Sequence, residues 1–226
     1  MTITNKQLLE RVGAIGDIHG EASSLKLALD FLTQANVDHI MSVGDLVDGQ
    51  TPKEVEECLE LLQNYQVLTV EGNHERWILR GDNLGLPQAT NRNDLSKKSI
   101  MFLAQLPKTI EFQTVAGQLL LCHGLGTNDM AGVWPGDYGI ALENNLDLFR
   151  LTKEGLYSFV INGHTHHRMV RSFEAVTIIN AGTLIPKPYP CFLIVDFQEK
   201  FVQFYDIKNS QVIATDKFPL TGKELH

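Results

Sequence analysis

The chain has little cysteine, no long apolar run and no surplus of positive charge, and each shortage removes a class of protein. Its three cysteines, Cys58, Cys122 and Cys191, are scattered and form no CxxC pair. Neither a disulfide framework nor a thiolate zinc site is therefore indicated. Cys58 falls on the apolar face of a helical pattern and the other two sit in strand-like runs, so all three read as buried, reduced thiols. No stretch approaches the roughly 18 apolar residues of a membrane span, and the N-terminal MTITNKQLLERVG lacks the apolar segment of a secretory signal. These absences predict a cytoplasmic protein without membrane association. A net charge of -8 is not the basic footprint of a nucleic-acid coat protein, so no extended nucleic-acid binding is expected. A GxxxxGK phosphate loop, a GxSxG nucleophile elbow, an HExxH zinc helix and a GxGxxG turn after the first strand are all missing.

What is present begins with alternating strands and helices. Arg11–Gly16 reads as a short apolar strand, and Leu25, Ala28, Leu29 and Leu32 then recur at helical spacing. Asp38–Gly44 is a second strand. Thr51, Pro52 and Glu54 form a helix start, with a capping threonine, proline in the first turn and glutamate three residues on. Val55, Cys58, Leu59 and Leu62 supply its buried stripe. With Gln66–Val70 as a third strand, the order is βαβαβ, which implies parallel pairing. Gly81–Lys98 is polar and broken by Gly81, Gly85 and Pro87, and reads as a loop or lid. Leu95–Leu106 is a possible helix. Thr109–Thr114 and Gln118–Cys122 form a hairpin turning at Ala116-Gly117. A helix is expected near Tyr138–Leu151, and strands at Tyr157–Ile161, Ala175–Ile179, Cys191–Phe197 and Phe201–Ile207. The mixture suggests two packed sheets with helices outside them.

The chemistry is concentrated in the turns at the strand ends. Gly16-Asp17-Ile18-His19, Gly44-Asp45-Leu46-Val47-Asp48, Gly72-Asn73-His74-Glu75, His123-Gly124 and Gly163-His164-Thr165-His166 each come directly after a strand. Carboxyl ends of strands are where α/β sheets place ligands, and glycine lets the backbone turn sharply there. In an extended segment, Asp17-x-His19 and His164-x-His166 would each present two donors on one side. Five of the eight histidines fall in these turns, and the ordered set points to metal binding. Nitrogen and oxygen ligands without thiolates suit manganese, iron, cobalt, zinc or nickel.

The ordered blocks D-x-H, GD, GNHE, H-G and GH-x-H resemble the calcineurin-like metallophosphoesterase superfamily. Asn180-Ala181-Gly182-Thr183 also resembles that family's later Asn-Pro-Gly-Ser turn, with Ala181 in place of proline. The resemblance implies one α/β (α+β) domain over 1–226, a four-layer sandwich of two mixed sheets flanked by helices, with 81–98 as lid or substrate loop. It implies two metal ions, manganese foremost. The first would take Asp17, His19, Asp45 and His166. The second would take Asp45, Asn73, His123 and His164, with Asp45 bridging. A water shared by the two cations would become a hydroxide near neutral pH and attack a phosphate ester. His74 is the expected proton donor to the leaving group, and the resemblance gives Asp48 the role of orienting it. Glu75 reads as a supporting carboxylate, not a ligand.

The resemblance implies a phosphorylated small molecule, nucleotide or phosphoprotein as substrate. Protein phosphatases of this superfamily, and relatives acting on dinucleoside tetraphosphates, carry an arginine in the Asp45 loop where this chain has Gly49. Arg76, Arg80 and Arg92, in or near the lid, are candidate phosphate contacts. Trp77, Trp134 and Tyr138 could offer an aromatic face to a base or aryl group, whereas Asp129 and Asp137 would repel phosphate unless paired. His39, His167 and His226 read as non-ligands. A phosphomonoesterase, a phosphodiesterase or dinucleoside polyphosphate hydrolase, and a non-catalytic binding scaffold of the same fold stand as alternatives.

Overall fold

The computed structural model describes residues 8–220 except positions 50, 83, 84, 87, 175 and 188. Pro87 as a breaker, Ala175 as a strand start and His226 as a non-ligand are expectations that fall outside those residues. The βαβαβ opening is present. Strands β1 (Arg11–Ile15), β2 (His39–Ser42) and β3 (Leu68–Thr69) run parallel, and helices α1 (Ala22–Gln34) and α2 (Pro52–Asn64) connect them. Thr51 and Glu54 close a capping box on α2: the threonine hydroxyl accepts the Glu54 amide hydrogen, and the glutamate carboxylate accepts that of Thr51 at 3.0 Å. Two backbone donors that the first helical turn cannot pair internally are thereby satisfied.

The later strands complete two sheets. They are β4 (Thr109–Thr114), β5 (Gly117–Cys122), β6 (Phe159–Asn162), β7 (Met169–Phe173), β8 (Val176–Asn180), β9 (Cys191–Asp196), β10 (Phe201–Lys208) and β11 (Gln211–Pro219). One sheet has the order β11-β10-β9-β1-β2-β3, the other β4-β5-β6-β8-β7. Both are mixed: β5, β6 and β8 run parallel in the second sheet, as β1, β2 and β3 do in the first.

Period-two alternation explains the layering. In β1, Val12 and Ala14 face the other sheet, packing with Leu119, Leu121, Phe159 and Ile161, whereas Ile15 faces α1 and α2. In β9, Leu193 and Val195 point inward between the sheets, and Phe192 and Ile194 outward to the helices. In β5, Leu119 and Leu121 join the inter-sheet core while Leu120 and Cys122 meet Leu148 and Leu151 on the opposite face. Strands buried on both faces need continuous apolar runs, and CFLIVD of β9 is one. The product is the expected four-layer α/β sandwich. Cys58, Cys122 and Cys191 are all buried and free.

Several elements differ from the pattern-based reading. GNHE is not only a turn: Asn73 opens helix α3 (Asn73–Arg80), which ends at Gly81 in the left-handed conformation, φ 81°. The Leu95–Leu106 helix is α4 (Lys97–Ala104), capped by Ser96. The helix expected over Tyr138–Leu151 is two, α5 (Ile140–Glu143) and α6 (Leu146–Glu154), separated where the Asn145 side chain accepts the Leu148 amide hydrogen at 3.0 Å. Strands β7 and β11 were unexpected. β11 is an edge strand exposed along most of its length, so it carries no apolar alternation. No helix among the described residues is long and apolar enough to cross a membrane.

Candidate metal centre

The singled-out turns converge at one end of both sheets. Asp17 and His19 follow β1, Asp45 and Asp48 follow β2, and Asn73 and His74 follow β3; His123 follows β5, and His164 and His166 follow β6. The Asn180–Thr183 turn after β8 backs them. Asn180 donates to the Gly163 carbonyl at 2.5 Å and the Thr183 hydroxyl to the Asp17 carbonyl at 2.8 Å. Contact there is so close that a β-carbon on Gly16 would lie 2.0 Å from the Gly182 carbonyl oxygen.

Ligand-type atoms form two groups that share Asp45. His19, Asp45 and His166 make one, and Asp45, His123 and His164 the other, with the atoms of each within 4.8 Å of one another. His19 Nε2 lies 3.3 Å from His166 Nε2 and 3.7 Å from Asp45 Oδ2. His123 Nε2 lies 3.3 Å from Asp45 Oδ2 and 2.9 Å from Asn73 Oδ1, which is also 3.0 Å from His164 Nδ1. Asp17, expected with the first ion, falls in neither group. Its Oδ1 accepts the His164 amide hydrogen at 3.0 Å and lies 3.6 Å from His123 Nδ1.

The backbone is bent to achieve this. His19, Asp45, Asp48, His164 and His166 all adopt positive φ, between 46° and 67°. For residues other than glycine that region costs of order 1–3 kcal/mol each and persists where the surroundings enforce it, commonly at functional sites. It also corrects the expectation of paired donors on an extended segment. His164 and His166 lie in a turn and join different groups, His164 the second and His166 the first.

The donor chemistry fits cations. His19 Nδ1–H is held by the Val47 and Asp48 carbonyls at 3.0 and 2.7 Å, and His123 Nδ1–H by the Val43 carbonyl at 2.7 Å. Each bond keeps a proton on Nδ1 and turns Nε2 toward the other donors, the orientation a ligand nitrogen needs. Burial lowers the pKa of His19, His164 and His166, the last to about 4, so these rings stay neutral. Asp17 Oδ2 is buried and has no hydrogen-bond partner, an expense a coordinating cation would remove. Burial, reinforced by the charge of Asp45, pushes Asp17 up to about 7. Burial disfavours charge on His123 and Asp45 too, yet their mutual attraction prevails: His123 is pushed up to about 10 and Asp45 held well below the carboxylate range.

A second layer of contacts orders these groups. His74 Nδ1 bonds Asp48 Oδ2 at 2.8 Å. Burial lowers the His74 pKa, but that bond and the nearby carboxylates outweigh it and leave it raised. Asp48 Oδ1 accepts the Thr90 amide hydrogen at 2.5 Å, and the Thr90 hydroxyl accepts that of Asp48 at 2.9 Å. Thr90 thus ties the 81–98 segment to the His74 pair. Nothing in the sequence marked it, since a lone threonine at the end of a loop carries no pattern. Glu75 is fully buried, and its carboxylate accepts amide hydrogens from Asp45, Leu46, Val47 and Gly72.

A cavity of 280 Å³ opens beside His19, His74 and His166, with Leu86 and Gln88 of the 81–98 segment among its walls. Arg76, Arg80 and Arg92 are not among the described residues lining it. Arg76 makes a two-pronged bond to Asp129, at 2.6 and 3.0 Å, and Arg92 donates to the Leu79 carbonyl at 2.7 Å. Asp129 is thus paired, and Asp137 accepts the Trp134 amide hydrogen at 2.9 Å. The Trp77 ring packs 4.8 Å from that of His74, whereas Trp134 and Tyr138 are exposed. His167 and His39 are exposed and belong to neither ligand group.

Comparison with known proteins agrees with this architecture. The chain is 23% identical over 174 residues to a phosphodiesterase of Methanocaldococcus jannaschii, covering 76% of this chain and 82% of that protein. The fold matches a metallophosphoesterase from Sphaerobacter thermophilus with a TM-score of 0.63 and 20% identity, over 88% of this chain and 89% of that one. It also matches a hypothetical protein from Pyrococcus horikoshii with a TM-score of 0.72 and 16% identity, over 87% of each chain. Residues 11–200 match the model of the calcineurin-like phosphoesterase superfamily domain, and the chain belongs to that superfamily.

Proposed function

We propose that the protein is a phosphoesterase that works with two metal ions, manganese being the first to test. Asp17, His19, Asp45 and His166 would hold one ion, and Asp45, Asn73, His123 and His164 the other. The observation that carries this reading is the membership of Asp45 in both ligand groups; one carboxylate has two oxygens to share. When bound, the cations supply Lewis-acid charge for the phosphoryl oxygens and an activated water.

The chain's own residues do the rest. The two ligand groups would together hold the phosphoryl group, and His74 lines the cavity that His19 and His166 of the first group also line. Its Nδ1 is engaged by Asp48, so Nε2 is the atom that delivers a proton. As a water oxygen bonds to phosphorus, the ester P–O bond breaks and its electron pair goes to the leaving oxygen. That oxygen takes the Nε2 proton, the water's surplus proton passes to solvent, and His74 is recharged from solvent. Asp48 is a positioning residue, keeping the ring in the donor orientation. Likeness to a protein named a phosphodiesterase makes phosphodiesters the first substrates to try.

The test combines metal analysis with paired assays. Protein loaded with Mn²⁺ is given bis-p-nitrophenyl phosphate and p-nitrophenyl phosphate. Hydrolysis that requires metal and disappears on Asp45→Ala supports the reading. A protein that holds metal yet hydrolyses neither ester, nor any member of a nucleotide and phosphopeptide panel, is instead a binding scaffold on this fold.

A further inference from the structure

Thr90, which no motif marks, grips the partner of His74 from two sides. Asp48 reaches His74 through Oδ2, 2.8 Å from the ring's Nδ1. Its other carboxylate oxygen, Oδ1, accepts the Thr90 amide hydrogen at 2.5 Å. Its own amide hydrogen is accepted by the Thr90 hydroxyl at 2.9 Å. A single residue 42 positions away in sequence therefore holds Asp48 by both its backbone and its carboxylate. Asp48 and Thr90 are only 5% and 4% exposed, so water competes little for these bonds and each is electrostatically stronger than it would be at the surface.

Asp48 has need of such a grip. It sits at φ 61°, a region that a residue other than glycine keeps only where its surroundings enforce it. A carboxylate bonded at one oxygen alone can still turn about its side-chain torsions. With Oδ1 and the backbone amide both held, turning it means breaking a buried hydrogen bond. Oδ2 is thereby kept facing His74 Nδ1. His19 and Trp77 also border the imidazole, each with a ring centroid 4.8 Å from it. Those ring contacts restrict where the imidazole lies, whereas the bond to Asp48 decides which way its two nitrogens point. Thr90 also follows closely on Leu86 and Gln88, which wall the cavity beside His74, so that wall and the orientation of the ring share one anchor.

We propose that Thr90 is a positioning residue for proton donation, a role that rests on the reading of His74 as the donor. Thr90 holds Asp48, Asp48 holds His74, and the three act as one unit in presenting the Nε2 proton to the leaving oxygen.

The test substitutes Thr90 and reads both turnover and the His74 ring. Thr90→Val keeps the shape and removes the hydroxyl that accepts the Asp48 amide hydrogen. In the Mn²⁺-loaded full chain, kcat for phenyl phosphate or diphenyl phosphate, whichever is the better substrate, should fall roughly 5-fold, with KM little changed. The loss should shrink for the corresponding p-nitrophenyl ester, whose leaving group scarcely needs a proton. Thr90→Ser, which keeps the hydroxyl, should recover most of it. In a His74→Asn background, Thr90→Val should add no further loss, because residues acting through one group are not additive. The second readout needs no turnover and uses the full chain loaded with Zn²⁺, a d¹⁰ ion suited to NMR. The His74 Nδ1 proton, identified by its absence in His74→Asn, should exchange slowly in the parent and in Thr90→Ser, and faster in Thr90→Val. The Asp48 and Thr90 amides should be protected from hydrogen exchange in the parent.

Circular dichroism and metal content identify a variant that misfolds. Equal losses across the ester series, an undiminished loss in the His74→Asn background, or an unchanged His74 resonance in folded Thr90→Val overturns the proposal. Rapid exchange of the Asp48 and Thr90 amides in the parent overturns it as well, and that measurement needs no variant to fold. If the metal-loaded parent hydrolyses none of these esters, the phosphoesterase reading fails instead, and the exchange measurements alone decide whether Thr90 holds His74 in place.

Discussion

The Glu75 carboxylate receives the Asp45 amide hydrogen at 2.8 Å, so the loop bearing the shared ligand hangs on a side chain from the next strand-to-helix turn. The same carboxylate accepts Leu46 N–H at 2.7 Å and Gly72 N–H at 2.9 Å. It is a buried carboxyl group held by backbone amides, and burial, reinforced by the charge of Asp45, pushes it up to about 7. Glu75→Gln keeps the shape but replaces one acceptor oxygen by a donor, leaving backbone amides unpaired. The expected cost is about 1–3 kcal/mol of unfolding free energy, read by chemical denaturation, together with weaker metal retention. An unchanged denaturation midpoint would show that Glu75 holds nothing in place.

Asp45 belongs to both ligand groups, so its loss should affect metal stoichiometry more than fold. Metal binding to the native state alone raises thermal stability by mass action. Chelation should therefore lower the melting temperature of the parent protein, and Mn²⁺ should restore it. Asp45→Ala should abolish that metal-dependent increment, with bound metal falling well below two ions per chain. An increment of the parent's size in the variant would remove Asp45 from the centre.

His74→Asn should reduce turnover of phenyl or alkyl esters by about 100-fold or more, with metal content nearly intact. The loss should shrink for p-nitrophenyl esters, whose leaving group scarcely needs a proton. Asp48→Asn removes the carboxylate that orients the ring at 2.8 Å, and a smaller loss, about 10-fold, is expected. Because a merely structural role would depress all esters alike, the dependence on leaving group is the deciding measurement. Equal losses across the ester series would count against proton donation.

The thiols offer a test of the core that is independent of the metal centre. Burial pushes Cys191 up to about 11 and Cys122 up to about 12, and raises Cys58 as well. The thiolate is the reactive form. A thiol pKa of about 11 leaves roughly one part in a thousand ionised at pH 8, and reactivity increases only as pH approaches that value. Native protein should resist thiol-specific reagents at pH 8 and release all three groups in denaturant. Rapid labelling of the folded chain would contradict the packing of β5, β9 and α2.

Much of this architecture is legible in one dimension because the signals are local. The α2 start is written in Thr51, Pro52 and Glu54, whose capping contacts span three residues. Strand β9 is a continuous apolar run, as burial on both faces requires. Strand β11 is not legible, because its pairing with β10 depends on backbone hydrogen bonds at an exposed edge, where side chains face no apolar selection. The break between α5 and α6 escaped for a similar reason, since a single asparagine cap decides it.

By itself the sequence determined which residue types stand after each strand, and hence that nitrogen and oxygen donors were available in turns. The division of those donors came from the resemblance, and only the folded chain gives its physical reason. Positive φ at His164 and His166 sends neighbours in one motif to different ligand groups, a choice made by tertiary packing that enforces a conformation the chain alone disfavours. Tertiary structure likewise brought Thr90 to Asp48 across 42 residues and turned Arg76 toward Asp129. Such contacts join distant segments with no shared period, so they exist only once the two sheets have packed.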